Sequence, residues 1–318
     1  MLAVASAWAL AATVFAGQAA RPVTLVSEVR AAIAAHDLAG AEALIVRRRA
    51  QQGTTSEVIE AVSWLGRGAL AEKLDDRAEQ YAAEAQTLAV AALGSRSVDD
   101  DVKLATAIGA AIEVQAQVSA NRGARSDAIV FLERELNTYR NTGIAKRIQK
   151  DINLLTLEGH TAPALELSES MGAPLSGATA KALVGKVVIL FFWAHWCPDC
   201  KAQGPILAKL DAKYRQHGLA IVAPTQRFGY VAGGATATPD EELRYMQGVR
   251  DKYYPFLAGV PVPVSAANHQ RYGVSSTPTV VILDRQGIVR LYHPGQLTEE
   301  ELESHLRPLL AAPPGDRR

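Results

Sequence analysis

The sequence has little sulfur and few aromatics: two cysteines, three methionines and 6% Phe, Trp and Tyr in 318 residues. A disulfide framework that holds a small fold spreads many cysteines along the chain, and two cysteines three positions apart are not such a framework. Net charge is absent. Lys plus Arg and Asp plus Glu each number 33, so no global field draws nucleic acid or anionic lipid, and no nucleic-acid partner is expected. Proline is missing from Val23 to Leu155. A long apolar run is missing too, because the stretch from Leu2 to Ala16 falls short of the roughly 20 residues that span a membrane.

That first stretch still carries a message. Gly17-Gln18-Ala19 places small residues at the −3 and −1 positions of a signal-peptidase site, just before Arg21-Pro22. No Lys or Arg precedes the apolar run. The expectation is a cleaved signal peptide over residues 1–20, with an uncleaved anchor or a buried helix as the alternatives. Export would put the chain in the periplasm or cell envelope, where disulfides persist.

The proline-free region reads as helix after helix, rich in Ala with apolar residues at helical spacing. The candidates are Leu25–Ala35, Ala39–Gln51, Ser56–Leu74, Asp76–Leu93, Asp99–Asn121, Arg125–Tyr139 and Ile144–Leu155. Three turns resemble one another, each leading to a small residue (Ala41, Ala78, Ala128) with partners three and four positions on. A small residue at a helix crossing lets two helices approach. The pattern resembles tetratricopeptide-type hairpins, though its spacing is irregular against the usual period of about 34, and a plain helical bundle is the alternative. Either architecture implies holding a partner or forming a dimer.

The texture changes near Gly159. The run Val187–Phe192 is continuously apolar and suits a central strand buried on both faces. Ala202–Gln216 is amphipathic helix, Leu219–Val222 a second strand, and Pro239–Tyr254 a helix started by Thr238. Thr279–Leu283 and Ile288–Leu291 flank Asp284-Arg285-Gln286-Gly287 as a hairpin, and Glu299–Leu310 closes the chain as a helix. The expected fold is an α-helical domain over residues 21–157, an α/β domain with a mixed sheet over 158–311, and a disordered tail over 312–318.

Cys197 and Cys200 come directly after the buried strand and open a helix. Amides at a helix N-terminus favour an anion, so Cys197 is the expected exposed nucleophile, held as thiolate. Cys200, one turn in, is placed to resolve a mixed disulfide, which is the sequence of events that thiol–disulfide exchange needs. A zinc site would need four ligands, and there are no further cysteines. A structural disulfide closing so small a loop would constrain little of the unfolded chain. Between the cysteines, Pro198 stiffens the turn and Asp199 opposes the thiolate, which leans the couple towards reducing. His195 and Lys201 are the cations placed in sequence to offset Asp199.

The segment Phe191-Phe192-Trp193-Ala194-His195-Trp196-Cys197-Pro198-Asp199-Cys200-Lys201 resembles the active-site segment of thioredoxin-like proteins, closest to the exported TlpA/ResA-type reductases. Pro205 falls where those proteins kink the active-site helix, Thr277-Pro278-Thr279 resembles their cis-proline turn, and Ala162-Pro163 with Leu165 their opening strand. The resemblance covers about Gly159 to Ala311. It implies Cys197 and Cys200 as catalytic residues, with Trp196, Pro198, Asp199, Thr277 and Pro278 supporting or binding substrate. Thr277 would stand beside Cys197 and its backbone would pair with an extended substrate. It implies no cofactor beyond the dithiol itself. The partners would be a disulfide-bearing exported protein, an electron-donating thiol protein, and a possible partner of the helical domain.

Two departures stand out. Thioredoxins carry a buried acid six residues before the first cysteine, where this chain has Phe191, and ResA-type reductases carry a Glu six residues after it, where it has Gln203. The proton acceptor for Cys200 is therefore open. Residues Phe228 to Thr238 form a Gly/Ala-rich loop that would be flexible or shape access to the site. Two other functions compete with exchange. A peroxidase would need Thr and Pro where Ala194 and Leu190 stand, and a partner-binding scaffold would make the dithiol secondary.

Overall fold

The computed structural model of the chain describes residues 23–172, 183–260 and 262–311. The expected signal segment and the expected tail lie outside the described residues. Among these residues no helix is long and apolar enough to cross a membrane.

Among the described residues the first half is seven α-helices: α1 Leu25–Ala34, α2 Leu38–Gln52, α3 Ser56–Ala71, α4 Asp75–Leu93, α5 Val102–Asn121, α6 Arg125–Thr138 and α7 Ala145–Thr156. The boundaries follow local chemistry. Thr24 makes a capping box with Ser27, Thr55 caps α3, and the Asp101 carboxylate accepts from the amides of Lys103 and Leu104. That last cap is why the expected helix from Asp99 is split. A short 3-10 turn, Val98–Asp100, precedes α5.

The three similar turns are one motif repeated. His36, Lys73 and Gly123 take left-handed φ of 59°, 59° and 84°, each five positions before Ala41, Ala78 and Ala128. In each, the next amide bonds back to a carbonyl five residues earlier: Asp37 to Ala32, Leu74 to Ala69 and Ala124 to Ser119. This is the Schellman ending, which satisfies carbonyls that a helix terminus leaves over. The three alanines are wholly buried. Ala82, Ala85 and Ala89 extend the small face of α4, so α3 and α5 pack closely on either side of it.

The second half is an α/β unit. Its main sheet has the order β3-β2-β5-β6, built from β2 Val187–Phe192, β3 Leu219–Val222, β5 Thr279–Leu283 and β6 Val289–Pro294. β2 runs parallel to β3 and antiparallel to β5, and β5 pairs antiparallel with β6. Every residue of β2 is buried, as its unbroken apolar run predicts for a strand covered on both faces. Helices α8 Pro198–Tyr214, α9 Pro239–Tyr253 and α11 Glu299–Ala311 flank the sheet. The short helix α10 Ala266–Arg271 and a two-stranded pairing of β1 Ser170–Met171 with β4 Val262–Pro263 complete it.

One expectation fails here. Ala162–Leu165 is not a strand. Only Thr161 bridges to Ile288, and the Ala162 amide reaches the Gly287 carbonyl at 2.9 Å. Pro163 has no amide to donate, and the carbonyls of Pro163 and Ala164 are taken by the side chains of Tyr272 and Arg271.

The halves are docked through α7. The Asn153 amide donates to the Arg271 carbonyl at 3.4 Å, and the Glu158 carboxylate accepts the Tyr292 amide at 3.0 Å. Gly273, at φ +59°, lies so close to α7 that a Cβ there would stand 2.4 Å from the Lys150 nitrogen.

Candidate active site

β2 delivers the chain into Trp193-Ala194-His195-Trp196 and then into the first turn of α8. Trp193 is fully buried, and its indole donates to the Ala223 carbonyl at 3.0 Å. Its own carbonyl accepts the Thr225 hydroxyl at 2.8 Å. The segment before the cysteines is thus anchored to the strand beside it.

Cys197 and Cys200 are joined as a disulfide. Cys197 is the N-cap of α8, and the Cys200 amide donates to its Sγ at 3.0 Å. Pro198 occupies the first helical position, where a missing amide is not needed. A reduced Cys197 would therefore meet a free helix N-terminus, where amides and dipole favour negative charge.

The expected exposure of Cys197 is corrected. It is 2% exposed against 0% for Cys200, because its sulfur is bonded inward and faces the Thr277 carbonyl oxygen at 3.3 Å. In the disulfide that sulfur carries no proton, so this is a contact. In the dithiol a Cys197 thiol could donate across it. The exposed groups around the sulfurs are Pro198, Asp199 and Trp196, which is 47% exposed and stacks edge-on against Phe228.

The Thr277–Pro278 peptide is cis, and it brings Thr277 to Cys197 as the resemblance implies. The Thr277 hydroxyl is buried with no hydrogen-bond partner among the described residues. Across the site, the Gln296 side chain donates to the Asp199 carbonyl at 2.9 Å and ties down the turn between the cysteines.

The two departures have structural explanations. Phe191 is wholly buried and meets Tyr254 edge-on at 5.7 Å, so the place of the expected acid is apolar core. Gln203 is also wholly buried. It accepts the Leu297 amide at 2.9 Å and donates to the Leu297 carbonyl at 3.0 Å. Both halves of its amide are engaged in bracing α8 against the segment before α11.

Sequence reasoning did not find the pair His195 and Glu242. Both side chains are 1% exposed, with Nε2 and Oε1 3.3 Å apart but misaligned for a hydrogen bond. Burial holds the imidazole below its ordinary range despite the Glu242 charge, so His195 does not supply the positive charge expected to offset Asp199. Lys201 lies over the Tyr253 ring, 4.9 Å from its centre. The Glu242 carboxylate accepts the amides of Phe228 and Gly229 at 2.5 and 2.9 Å. The Gly/Ala-rich loop is thereby fixed at its start, and Tyr230 bridges to Thr236 within it. No motif spacing signals a contact between residues so far apart in sequence.

Comparison with known proteins agrees with this geometry. The family described as a thioredoxin-like domain matches residues 178–309. The chain is 32% identical over 149 residues to the thioredoxin-like protein YneN of Bacillus subtilis, an overlap of 47% of this chain and 78% of that one. It is 30% identical over 131 residues to the thiol-disulfide oxidoreductase ResA of Bacillus thuringiensis, covering 40% of this chain and 65% of the relative. It is 26% identical over 129 residues to the thiol:disulfide interchange protein DsbE of Xylella fastidiosa, covering 41% and 57%. It thus spans less than two thirds of the last two. With a disulfide at the N-terminus of α8, a cis-proline turn against it and this level of identity, the chain belongs to the thioredoxin-like family of thiol–disulfide oxidoreductases.

Proposed function

We propose that this protein reduces disulfides in exported proteins, with Cys197 as nucleophile and Cys200 as resolving thiol. The observation that carries the assignment is the hydrogen bond from the Cys200 amide to Cys197 Sγ at the start of α8. The group so placed is stabilised as an anion, and the thiolate is the attacking species. Cys197 thiolate attacks one sulfur of the substrate disulfide and expels the other as a thiolate. Cys200, deprotonated, then attacks Cys197 Sγ in the mixed disulfide and expels the second substrate thiolate. Two electrons pass from the dithiol to the substrate, and its two thiolates take up two protons. A donor thiol protein must return the pair to the dithiol. Exposed Asp199 beside the sulfurs favours this direction, since its charge opposes the thiolate form and makes the couple more reducing.

The division into a helical domain over 21–157 and a thioredoxin-like domain over 158–311 is part of this reading, as is export to the periplasm or cell envelope. The three turns of one motif and their buried alanines support a tetratricopeptide-like reading of the helical domain. Its proposed role is to hold a protein partner while the dithiol acts.

Cys200→Ser tests the assignment of roles. In the full chain, incubated with a protein disulfide, this variant accumulates a mixed disulfide through Cys197 that dithiothreitol releases. Cys197→Ser forms none. Equal trapping by the two variants would sink the assignment.

A further inference from the structure

A cleft of about 580 Å³ opens between the two halves. One wall is the thioredoxin-like half, at Ser275, Ser276 and His293. Ser275 and Ser276 are exposed and lead directly into Thr277, whose carbonyl lies 3.3 Å from Cys197 Sγ. The other wall is helical. It presents Arg67 from α3, Glu113 from α5, and Arg147 and Lys150 from α7.

The charge on that wall is unbalanced. Glu113 accepts from Arg67 at 3.3 Å, Arg147 at 3.0 Å and Lys150 at 3.1 Å, so one carboxylate serves three cations. Lys150 also meets Asp151 at 2.8 Å, so the wall sets three cations against two carboxylates. Arg30 lies over the same Trp64 ring as Arg67, 4.5 Å from its centre, and faces the charge of Glu60. The side chains of Arg67, Arg147 and Lys150 are only 21%, 18% and 13% exposed, so water screens them less than it screens ordinary surface cations. Arg147 and Lys150 are firmly placed, because α7 packs against Gly273.

The position of the cleft names its occupant. A polypeptide whose cysteine is bonded to Cys197 must run past Thr277, and the chain leading into Thr277 is the cleft wall. The hydroxyl of Thr277, the residue that follows Ser276 of that wall, is buried with no partner among the described residues. We infer that this cleft seats the stretch of substrate polypeptide next to the attacked cysteine and selects stretches that carry Asp or Glu. The inference rests on the exchange reading and adds a substrate class to it. The acidic side chain pairs with Arg147 and Lys150, taking up the charge that Glu113 and Asp151 leave over.

Two synthetic peptides test this, each with one internal disulfide and identical except that Glu residues flanking one cysteine in the first are Gln in the second. The full chain, reduced and freed of reductant, is mixed with each peptide, and the loss of protein thiols gives a second-order rate constant. The Glu peptide reacts faster by roughly fivefold at low salt, the size expected for one or two partly buried ion pairs. The ratio falls towards one in molar salt, where screening is short-ranged. Arg147→Gln with Lys150→Gln brings the ratio near one at low salt as well. The wild-type measurement stands alone if that variant does not fold. A wild-type ratio of one or below, with both peptides oxidising the protein, overturns the cleft assignment and leaves the exchange reading intact. Failure of both peptides to oxidise the protein overturns the exchange reading and the cleft assignment with it.

Discussion

His269 on α10 is a titratable side chain buried where water does not reach it. It is 1% exposed, it faces the edge of Phe192 at 5.5 Å, and neither ring nitrogen has a hydrogen-bond partner among the described residues. Burial, with the charge of Lys146 on α7 adding to it, pushes its pKa down from 6.5 to about 3. The folded state therefore refuses a proton that the unfolded state accepts. Stability from this residue is complete above about 6.5 and is lost as pH falls towards 3. Between pH 7 and pH 4.5 the loss is about 2–3 kcal/mol. Denaturant unfolding at the two pH values, for the wild type and for His269→Leu, isolates it, because the leucine variant lacks this loss. Identical pH slopes would show that the imidazole does not contribute. His195 shares the direction but faces a carboxylate.

At the scale of the element, the first turn of α8 sets the chemistry. Asp199 is exposed in that turn, beside an N-cap sulfur that becomes a thiolate on reduction. Its charge raises the energy of the thiolate, and so of the reduced state. Asp199→Asn removes that repulsion and makes the couple more oxidising. The shift expected for an exposed charge is about 10–30 mV, measured by equilibration against glutathione. An unchanged potential would mean that solvent screens the carboxylate fully. The elements themselves were largely legible in the sequence. Helix spacing placed α1 to α7 within a few residues, and the unbroken apolar run of Val187–Phe192 marked the central strand, because both signals are local. The short helix α10 and the two-residue strands were not legible, since each is too short for a period and exists through its neighbours. The same limit applies to the site. Cys197, Cys200 and the cis turn at Pro278 follow from motif order, whereas the contact of His195 with Glu242 is made only by the tertiary fold. Gln203 was legible as a missing acid, but not as a brace for Leu297.

At the scale of the whole molecule, the question is whether the two halves act as one body. Gly273 is a point of close approach between them and can be read against Gly287 in the β5–β6 turn. Both have positive φ, +59° and +80°, so an alanine is strained at either. A Cβ at Gly287 meets nothing within 4 Å, whereas at Gly273 it would lie 2.4 Å from the Lys150 nitrogen and 2.6 Å from its Cα. Both obstructing atoms are backbone, and backbone inside α7 cannot yield without moving the helix. Gly273→Ala should therefore cost at least about 1 kcal/mol more than Gly287→Ala, the excess being the price of separating α7 from α10 and β6. Thermal unfolding of the two variants measures the difference. Limited proteolysis adds a second readout, since separation exposes the connection after Thr156 to cleavage. Equal stabilities and equal cutting would mean that the halves move apart freely. The outcome bears on the cleft as well, because its two walls belong to different halves and keep their spacing only while α7 stays against Gly273.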